Sequence, residues 1–420
     1  MKKNLFIKST LILILSGFLT KMLGFIIKVV YTRIIGEYGI SLFTIATPTY
    51  SLLLTISTLA IPISISKLVS ENKGRSIRIL TSATFLILSI NFLLILIIFL
   101  TKDFIATNLL KEPLASPILM AFALTLPFVS ISAVLKGYFA GKQNMVPHAT
   151  SNILEQIVRL IIIVTILPIL MKKSVMYAVL GLILLTILSE ISSIIVFLFF
   201  LPKHINYKTN LLPSKKHTKD ILNISLPTVS SRIIGNIGYF LEPIILTNLL
   251  LFSGYTNAYI LREYGAYNAY SLALLTMPGF FIAAISTSLL PEISKFHGER
   301  NSSMVKRRIK QSLLFALLIG TFFSFIIFTL YNTTNGSDYI KILAPFFVLF
   351  YLEGVLTSAL QALGHAKITM NITLWGVILK LLVMAILSLC HIGIYSLVIA
   401  EIINILFVVL INFKYLKIYV

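Results

Sequence analysis

Two stretches decide the fold: STLAIPISISKLVSENKGR at residues 57–75 and STSLLPEISKFHGER at residues 286–300. In both, an apolar helix with a proline runs through Ser-Lys into a charged loop. The prolines also pair, Pro48 with Pro62 in the first copy and Pro278 with Pro291 in the second. Two further echoes follow in the same order. FAGKQNMV at 139–146 is answered by ALGHAKITM at 362–370, and SEISSIIVFLFF at 189–200 by AEIINILFVVLINF at 400–413. The offset between partners narrows from 229 residues at Pro62/Pro291 to 211 at Glu190/Glu401, as an old duplication with loop deletions would leave it. Duplicated, strongly apolar chains are typical of secondary transporters, whose substrate site lies between the repeats near the bilayer midplane.

Composition selects the solvent. Hydrophobic residues make up 58% of the 420, charged residues 12%, and the mean hydropathy is +0.97, too apolar for a soluble fold. Hydropathy predicts an all-α integral membrane protein with about twelve spans, at residues 9–32, 40–66, 77–101, 115–139, 147–170, 175–201, 220–250, 266–290, 308–331, 339–364, 368–389 and 393–413. Six spans per copy return the chain to its starting side, so the repeats are parallel. The expected organisation is a six-helix lobe at 1–201, a cytoplasmic linker at 202–219 and a second six-helix lobe at 220–420.

The formal charge of +21 is topological. Alternate loops place 23 Lys and Arg residues on one side and 7 on the other, so the positive-inside rule puts both termini in the cytoplasm. The basic side faces anionic membrane lipid, and no nucleic-acid partner is expected. The apolar run after Lys2 and Lys3 continues past Lys21 and Lys28 without a small-residue cleavage site and reads as an uncleaved first span. A single cysteine, Cys390, excludes an intramolecular disulfide and any cysteine-built metal centre. The histidines lack metal-ligand spacing, and no phosphate-binding loop or nucleophile-base pattern appears, so neither metal site nor catalytic residue is expected.

Ten charges fall inside the spans: Lys21, Lys28, Arg159, Arg232 and Lys380 against Glu155, Glu190, Glu242, Glu353 and Glu401. An unpaired charge at mid-bilayer costs at least about 2.5–3.5 kcal/mol, so these groups should face the bundle interior or a wet cavity. Gly17, Lys21, Gly24 and Lys28, spaced four, three and four, share one helical stripe with the ammonium groups about two turns apart. That stripe suits a diphosphate or a sugar acid, although glycines also pack helices and lysines also snorkel. Glu155 and Arg159 stand at i, i+4 and fit a self-neutralising pair as well as a functional one. Arg232 and Glu242 flank Gly235, Gly238 and Pro243, a composition that bends helices. Glu190 and Glu401, at matching places in the two repeats, favour a shared structural role. The first half is net basic in the membrane and the second net acidic, which suits an anionic substrate on one side and a driving cation on the other. Tyr255, Tyr259, Tyr264, Tyr267 and Tyr270 fit an interfacial aromatic belt better than a sugar-stacking platform.

The run at 17–71, with ILEQIVRL at 153–160 and YGAYNAYSLALLTMPGFFIAAISTSLLPEIS at 264–294, resembles the stage V sporulation protein B and polysaccharide-transporter branch of the MOP superfamily. That branch is similar to MurJ-type lipid II flippases and more distantly to MATE drug exporters. The resemblance spans nearly the whole chain. It implies that an undecaprenyl-diphosphate-linked sugar is flipped to the outer leaflet of a bacterial cytoplasmic membrane, with Lys21 and Lys28 among the cavity's basic residues. One departure is Ala273, where MurJ-type proteins carry an arginine five residues before the proline matching Pro278.

These readings assign Lys21, Lys28, Arg159 and Arg232 to the substrate diphosphate, and Glu242, Glu353 and Glu401 to cation coupling. Glu155, Glu190 and Lys380 are assigned to helix pairing. A sodium or proton gradient or the membrane potential is the expected drive, no cofactor is needed, and a monomer is favoured. The alternatives are a MATE-like cation-coupled drug exporter, which needs acids to dominate the first lobe, and a non-transporting scaffold for envelope or spore assembly. The topology is testable. With Cys390 replaced, a cysteine at Ser214 should resist a membrane-impermeant thiol reagent in intact cells, and labelling there would reverse the orientation.

Overall fold

Apolar runs too long for a globular core, broken by glycine, proline and short polar loops, become long helices. The computed structural model describes residues 2–71, 76–142, 144–201, 213–329 and 336–419, with side chains described from Ser16 on except at Pro227, Ser231, Thr287 and Pro291. Most of the expected linker at 202–219 lies outside the described residues. The helices are α1 (Lys2–Thr58), α2 (Ile61–Glu71), α3 (Ser76–Phe104), α4 (Ala115–Gly141), α5 (Val146–Met171), α6 (Val175–Phe200) and α7 (Lys215–Phe252). They continue with α8 (Asn257–Gly265), α9 (Ala273–Thr276), α10 (Gly279–Gly298), α11 (Ser302–Thr329), α12 (Ser337–Ala362), α13 (Ala366–Ser388) and α14 (Tyr395–Tyr419). There is no strand among the described residues.

Ten of these segments are long and apolar enough to cross a membrane, and α8–α9 with α10 form one further crossing bent by 48°. The first of the ten, Ser16–Glu71, has 56 residues. A helix of that length would extend about 84 Å, far more than a bilayer core of about 30 Å. It is therefore two crossings, and Gly36 divides them: its φ of 74° and ψ of 179° are open to glycine but closed to a side chain. Counted so, the described helices supply the twelve crossings that hydropathy predicts.

Two spans are less regular than the sequence suggests. The second breaks at Leu59 and Ala60, whose φ values of 44° and 50° are left-handed, just ahead of Pro62 in α2. Proline cannot donate to the preceding turn, and the chain reverses hand before it. The eighth expected span passes through a π-helical stretch at Ala266–Leu272 and then breaks at Pro278.

The chain forms two compact units, Met1–Phe240 and Leu241–Val420. In the first, Ile61, Ile65, Tyr138, Phe139, Phe197 and Ile221 lie within one core, with the Phe139 and Phe197 rings stacked at 5.5 Å. Buried hydroxyls and amides tie helices together. Ser57 donates to Asn91 at 2.7 Å, Asn91 donates to Ser130 at 3.1 Å, and the Ser64 and Ser225 hydroxyls meet at 2.6 Å. In the second unit, Tyr264 and Tyr267 are interior residues, 1% and 0% exposed, and so are core packing, not the aromatic belt the sequence favoured. The outer surface is apolar, with Phe199 and Phe252 80% and 83% exposed, which only a lipid surrounding satisfies.

Helix α4 touches α2 backbone to backbone. A Cβ at Gly137 would stand 2.7 Å from Pro62 Cα, and one at Gly141 2.7 Å from the Ser66 carbonyl oxygen. Small residues four apart give membrane helices this approach, where apolar burial alone supplies no driving force. Gly137→Leu should therefore destabilise the first unit by at least about 1–3 kcal/mol through overpacking. Gly17→Leu, with nothing within 4 Å of its Cβ, should be neutral. Melting of the two detergent-purified variants beside wild type checks the difference.

Candidate functional site

Six of the ten membrane charges collect into clusters, one in each unit. In the first, Glu155 on α5 receives three donors: Arg159 Nη2 at 3.1 Å, Lys136 Nζ at 3.3 Å and Gln156 Nε2 at 3.3 Å. Arg159 also reaches Glu190 Oε1 of α6 at 3.6 Å and donates from Nε to the Ser189 hydroxyl at 3.1 Å. Two cations and two carboxylates make the cluster formally neutral. Both carboxylates are buried, at 8% exposure, whereas Arg159 and Lys136 keep 23% and 25% of their surface. The i, i+4 pair within α5 is thus part of a network across α4, α5 and α6.

Lys136 is the member that sequence reading missed. It stands three residues from the end of its expected span at 115–139 and belongs with the loop charges in the count of 23 and 7. The signal was a full turn of apolar residues on either side, in AVLKGYF at 133–139.

The glycine stripe of α1 approaches this cluster at Gly24. A Cβ at Gly24 would lie 3.9 Å from Gln156 Oε1. The first and fifth spans cross in the same direction, so Lys28, one turn beyond Gly24, stands at the depth of Arg159–Leu160. Lys28 is partly buried, Lys21 and Arg232 are exposed, and none of the three has an ion-pair partner among the described residues.

In the second unit, Lys380 Nζ on α13 lies 2.6 Å from Glu242 Oε2 of α7 and 2.6 Å from Glu401 Oε2 of α14. The Glu401 contact is a charge contact without hydrogen-bond alignment. Tyr264 donates its hydroxyl to the other Glu242 oxygen at 3.3 Å. Two of the three acids read as cation ligands therefore already hold a cation, and it is the ammonium of Lys380. The third, Glu353 on α12, has no ion pair among the described residues. It lines a cavity of about 510 Å³ with Thr276, Gly279, Ser286, Phe350 and Thr357, among others, and the Ser286 hydroxyl oxygen is buried without a partner. Among the described residues no group of His, Cys, Asp and Glu side chains could hold a metal ion by its geometry.

The two clusters share a plan. Arg159 and Lys380 occupy the fifth and eleventh spans, 221 residues apart, an offset between that of Gly141/Gly364 and that of Glu190/Glu401. Each meets the glutamate of the following span.

Twelve apolar crossings with paired charges in the membrane interior define a polytopic membrane protein. Residues 6–297 match the family described as "Polysaccharide biosynthesis protein", and the chain belongs to that family. Residues 243–386 also match the MatE family. Stage V sporulation protein B of Bacillus subtilis (strain 168) is 34% identical over 400 residues, which are 90% of this chain and 77% of that one. The lipid II flippase MurJ of the same organism is 22% identical over 423 residues, covering 89% and 76%. Among solved structures, the inward-facing conformation of a multidrug resistance MATE family transporter of the MOP superfamily superposes with a TM-score of 0.76 at 15% identity, covering 95% and 94%.

The Lys380 cluster makes a stability claim. Glu242 is 3% exposed and Lys380 17%, and removing one member of a buried ion cluster costs about 3–5 kcal/mol because the others stay charged without compensation. Lys380→Met should lower the melting temperature sharply. Adding Glu242→Gln and Glu401→Gln should restore most of the loss. A single variant that melts like wild type would show that the cluster is solvated.

Proposed function

We propose that this protein flips an undecaprenyl-diphosphate-linked sugar from the inner to the outer leaflet of the bacterial cytoplasmic membrane by alternating access. The observation that carries the reading is the distribution of unpaired charge. Once the ion pairs are drawn, the membrane cations without an ion-pair partner among the described residues are Lys21 and Lys28 in the first lobe and Arg232 in the helix that opens the second, all within Met1–Phe240, and the carboxylate without one is Glu353, within Leu241–Val420. A diphosphate needs concentrated positive charge in a place where water screens it poorly. Lys28, beside the level of Arg159, offers that, and the open space at Gly17 leaves room for a bulky headgroup. Family membership and similarity to a named lipid II flippase support the same substrate class.

The remaining assignments follow from this reading. Lobes 1–201 and 220–420, joined by the linker at 202–219, alternate access with both termini in the cytoplasm, and anionic lipid holds the basic loops. Lys21, Lys28, Arg159 and Arg232 serve the substrate. Coupling to a sodium or proton gradient falls to Glu353, because Lys380 neutralises much of the charge of Glu242 and Glu401.

The test is a titration of nanodisc-embedded protein with undecaprenyl diphosphate, paired with a flipping assay in proteoliposomes. Wild type should bind with an affinity that falls as salt rises. Lys28→Ala should weaken binding at least about tenfold, the value of roughly 1.4 kcal/mol, and abolish flipping at normal protein levels. Lys28→Arg should retain part of both, since charge matters here before geometry. Glu353→Gln should leave binding intact and change the dependence on the ion gradient. Tight binding of a cationic dye with no response to the lipid would replace this reading with that of a MATE-like exporter.

A further inference from the structure

The cluster in the first unit is charge-balanced, which poses a difficulty for any carrier of anions: its best-placed arginine is already taken. Arg159 shares Nη2 between Glu155 Oε1 at 3.1 Å and Glu190 Oε1 at 3.6 Å, and spends Nε on Ser189. Its Nη1 has no partner among the described residues, and Lys136 Nζ has only Glu155. Each cation thus keeps spare donors on its exposed side, while its carboxylate lies on the buried side.

The two acids are not held equally. Glu155 takes three donors within 3.3 Å, from Lys136, Arg159 and Gln156, whereas Glu190 has the longer contact to Arg159 at 3.6 Å, with the Ser132 hydroxyl and the more distant charge of Lys136 nearby. The second Glu190 oxygen, Oε2, is buried and without a hydrogen-bond partner. A carboxylate 8% exposed with one oxygen unsatisfied is poorly stabilised where it stands.

Resting on the flippase reading, we propose that Glu155 and Glu190 are placeholder anions: they neutralise Arg159 and Lys136 while the carrier is empty, and a substrate diphosphate entering beside Lys28 takes those two cations over, displacing Glu190 first. The physical need comes from the transport cycle. A carrier must reset without substrate, and bare cations facing a low-dielectric interior resist that step. Internal carboxylates supply the missing charge. When the diphosphate arrives, the cluster gains two negative charges, which Lys21 and Lys28 on the neighbouring stripe balance. The displaced carboxylates then remain beside the bound headgroup as like charges, which lowers affinity and favours release at the other face.

The experiment measures binding of undecaprenyl diphosphate to the full chain in nanodiscs, with undecaprenol as the probe for the tail alone. Glu190→Gln removes one like charge a few ångströms from the headgroup and should bind the diphosphate about tenfold more tightly while flipping it more slowly. Undecaprenol binding should not change. Glu155→Gln should act in the same direction and provides the measurement if Glu190→Gln fails to fold. Diphosphate binding in wild type that is unchanged or weaker in the folded glutamine variants overturns this inference alone, and so does failure of both to fold, which makes the acids purely structural. No diphosphate binding by wild type overturns the flippase reading and this one with it.

Discussion

A cation held against the glutamate of the next span is the interaction on which both units turn. In the first unit it is Arg159 with Glu190, and in the second Lys380 with Glu401. Neither charge could be placed alone in the hydrocarbon layer without a cost of several kcal/mol, so each pair fixes the rotation of two neighbouring helices about their axes. A helix turned by a third would present its charge to lipid. The same pair at the same place in two halves that otherwise differ in most residues shows what the duplication retained: a charge register between the fifth and sixth helices of each repeat.

What differs is the third partner. In the first unit Glu155 comes from the same helix as Arg159, and Lys136 brings the cluster to neutrality. In the second, Glu242 comes from α7 and Tyr264 supports it, so one ammonium serves two carboxylates. The excess charge of each unit follows from this. With its internal pairs closed, the first unit keeps Lys21, Lys28 and Arg232, and the second keeps Glu353 with one uncompensated carboxylate in the Lys380 cluster. A fold shared with MATE transporters thus carries opposite charge in its two halves, which suits a large anion handled on one side and a small cation on the other.

The number and placement of spans were legible because hydropathy over 20 residues is a collective signal that single exceptions do not erase. Breaks within spans were less legible. Pro62 marks a break, but the two left-handed residues that make it, Leu59 and Ala60, have ordinary apolar side chains and give no sign of their backbone conformation. The π-helical stretch at Ala266–Leu272 is likewise set by packing in the finished fold. In the charge clusters, Glu155 and Arg159 could be paired from helical spacing alone. The Glu242–Lys380–Glu401 cluster could not, because its members come from three helices far apart in sequence and only the fold brings them together. Charge counting gave neutrality of the membrane interior without giving the partners, and it led to Glu242 and Glu401 being read as open to a soluble cation. Lys136 escaped because its nearness to a span end made it look like an anchor.

Under the proposed function, the pairing also bears on why a carrier of anions would keep acids in its basic half. Three cations without an ion-pair partner and two, Arg159 and Lys136, bound in reserve are a different device from five bare cations. Five bare cations would bind a diphosphate strongly and hold it, since every favourable contact in the bound state must be broken on release. A reserve cation shared with a carboxylate makes the exchange nearly balanced: a bond to Glu190 is given up as one to phosphate forms, and the reverse occurs on release. On the proposed reading, affinity then rests on Lys21, Lys28 and Arg232, while the reset of the empty carrier rests on Glu155 and Glu190. A hydrophobic replacement of a buried ion cluster is often neutral or stabilising, so the four charges buried in α4, α5 and α6 are not needed for folding alone, and the proposed exchange is the use that would offset their cost.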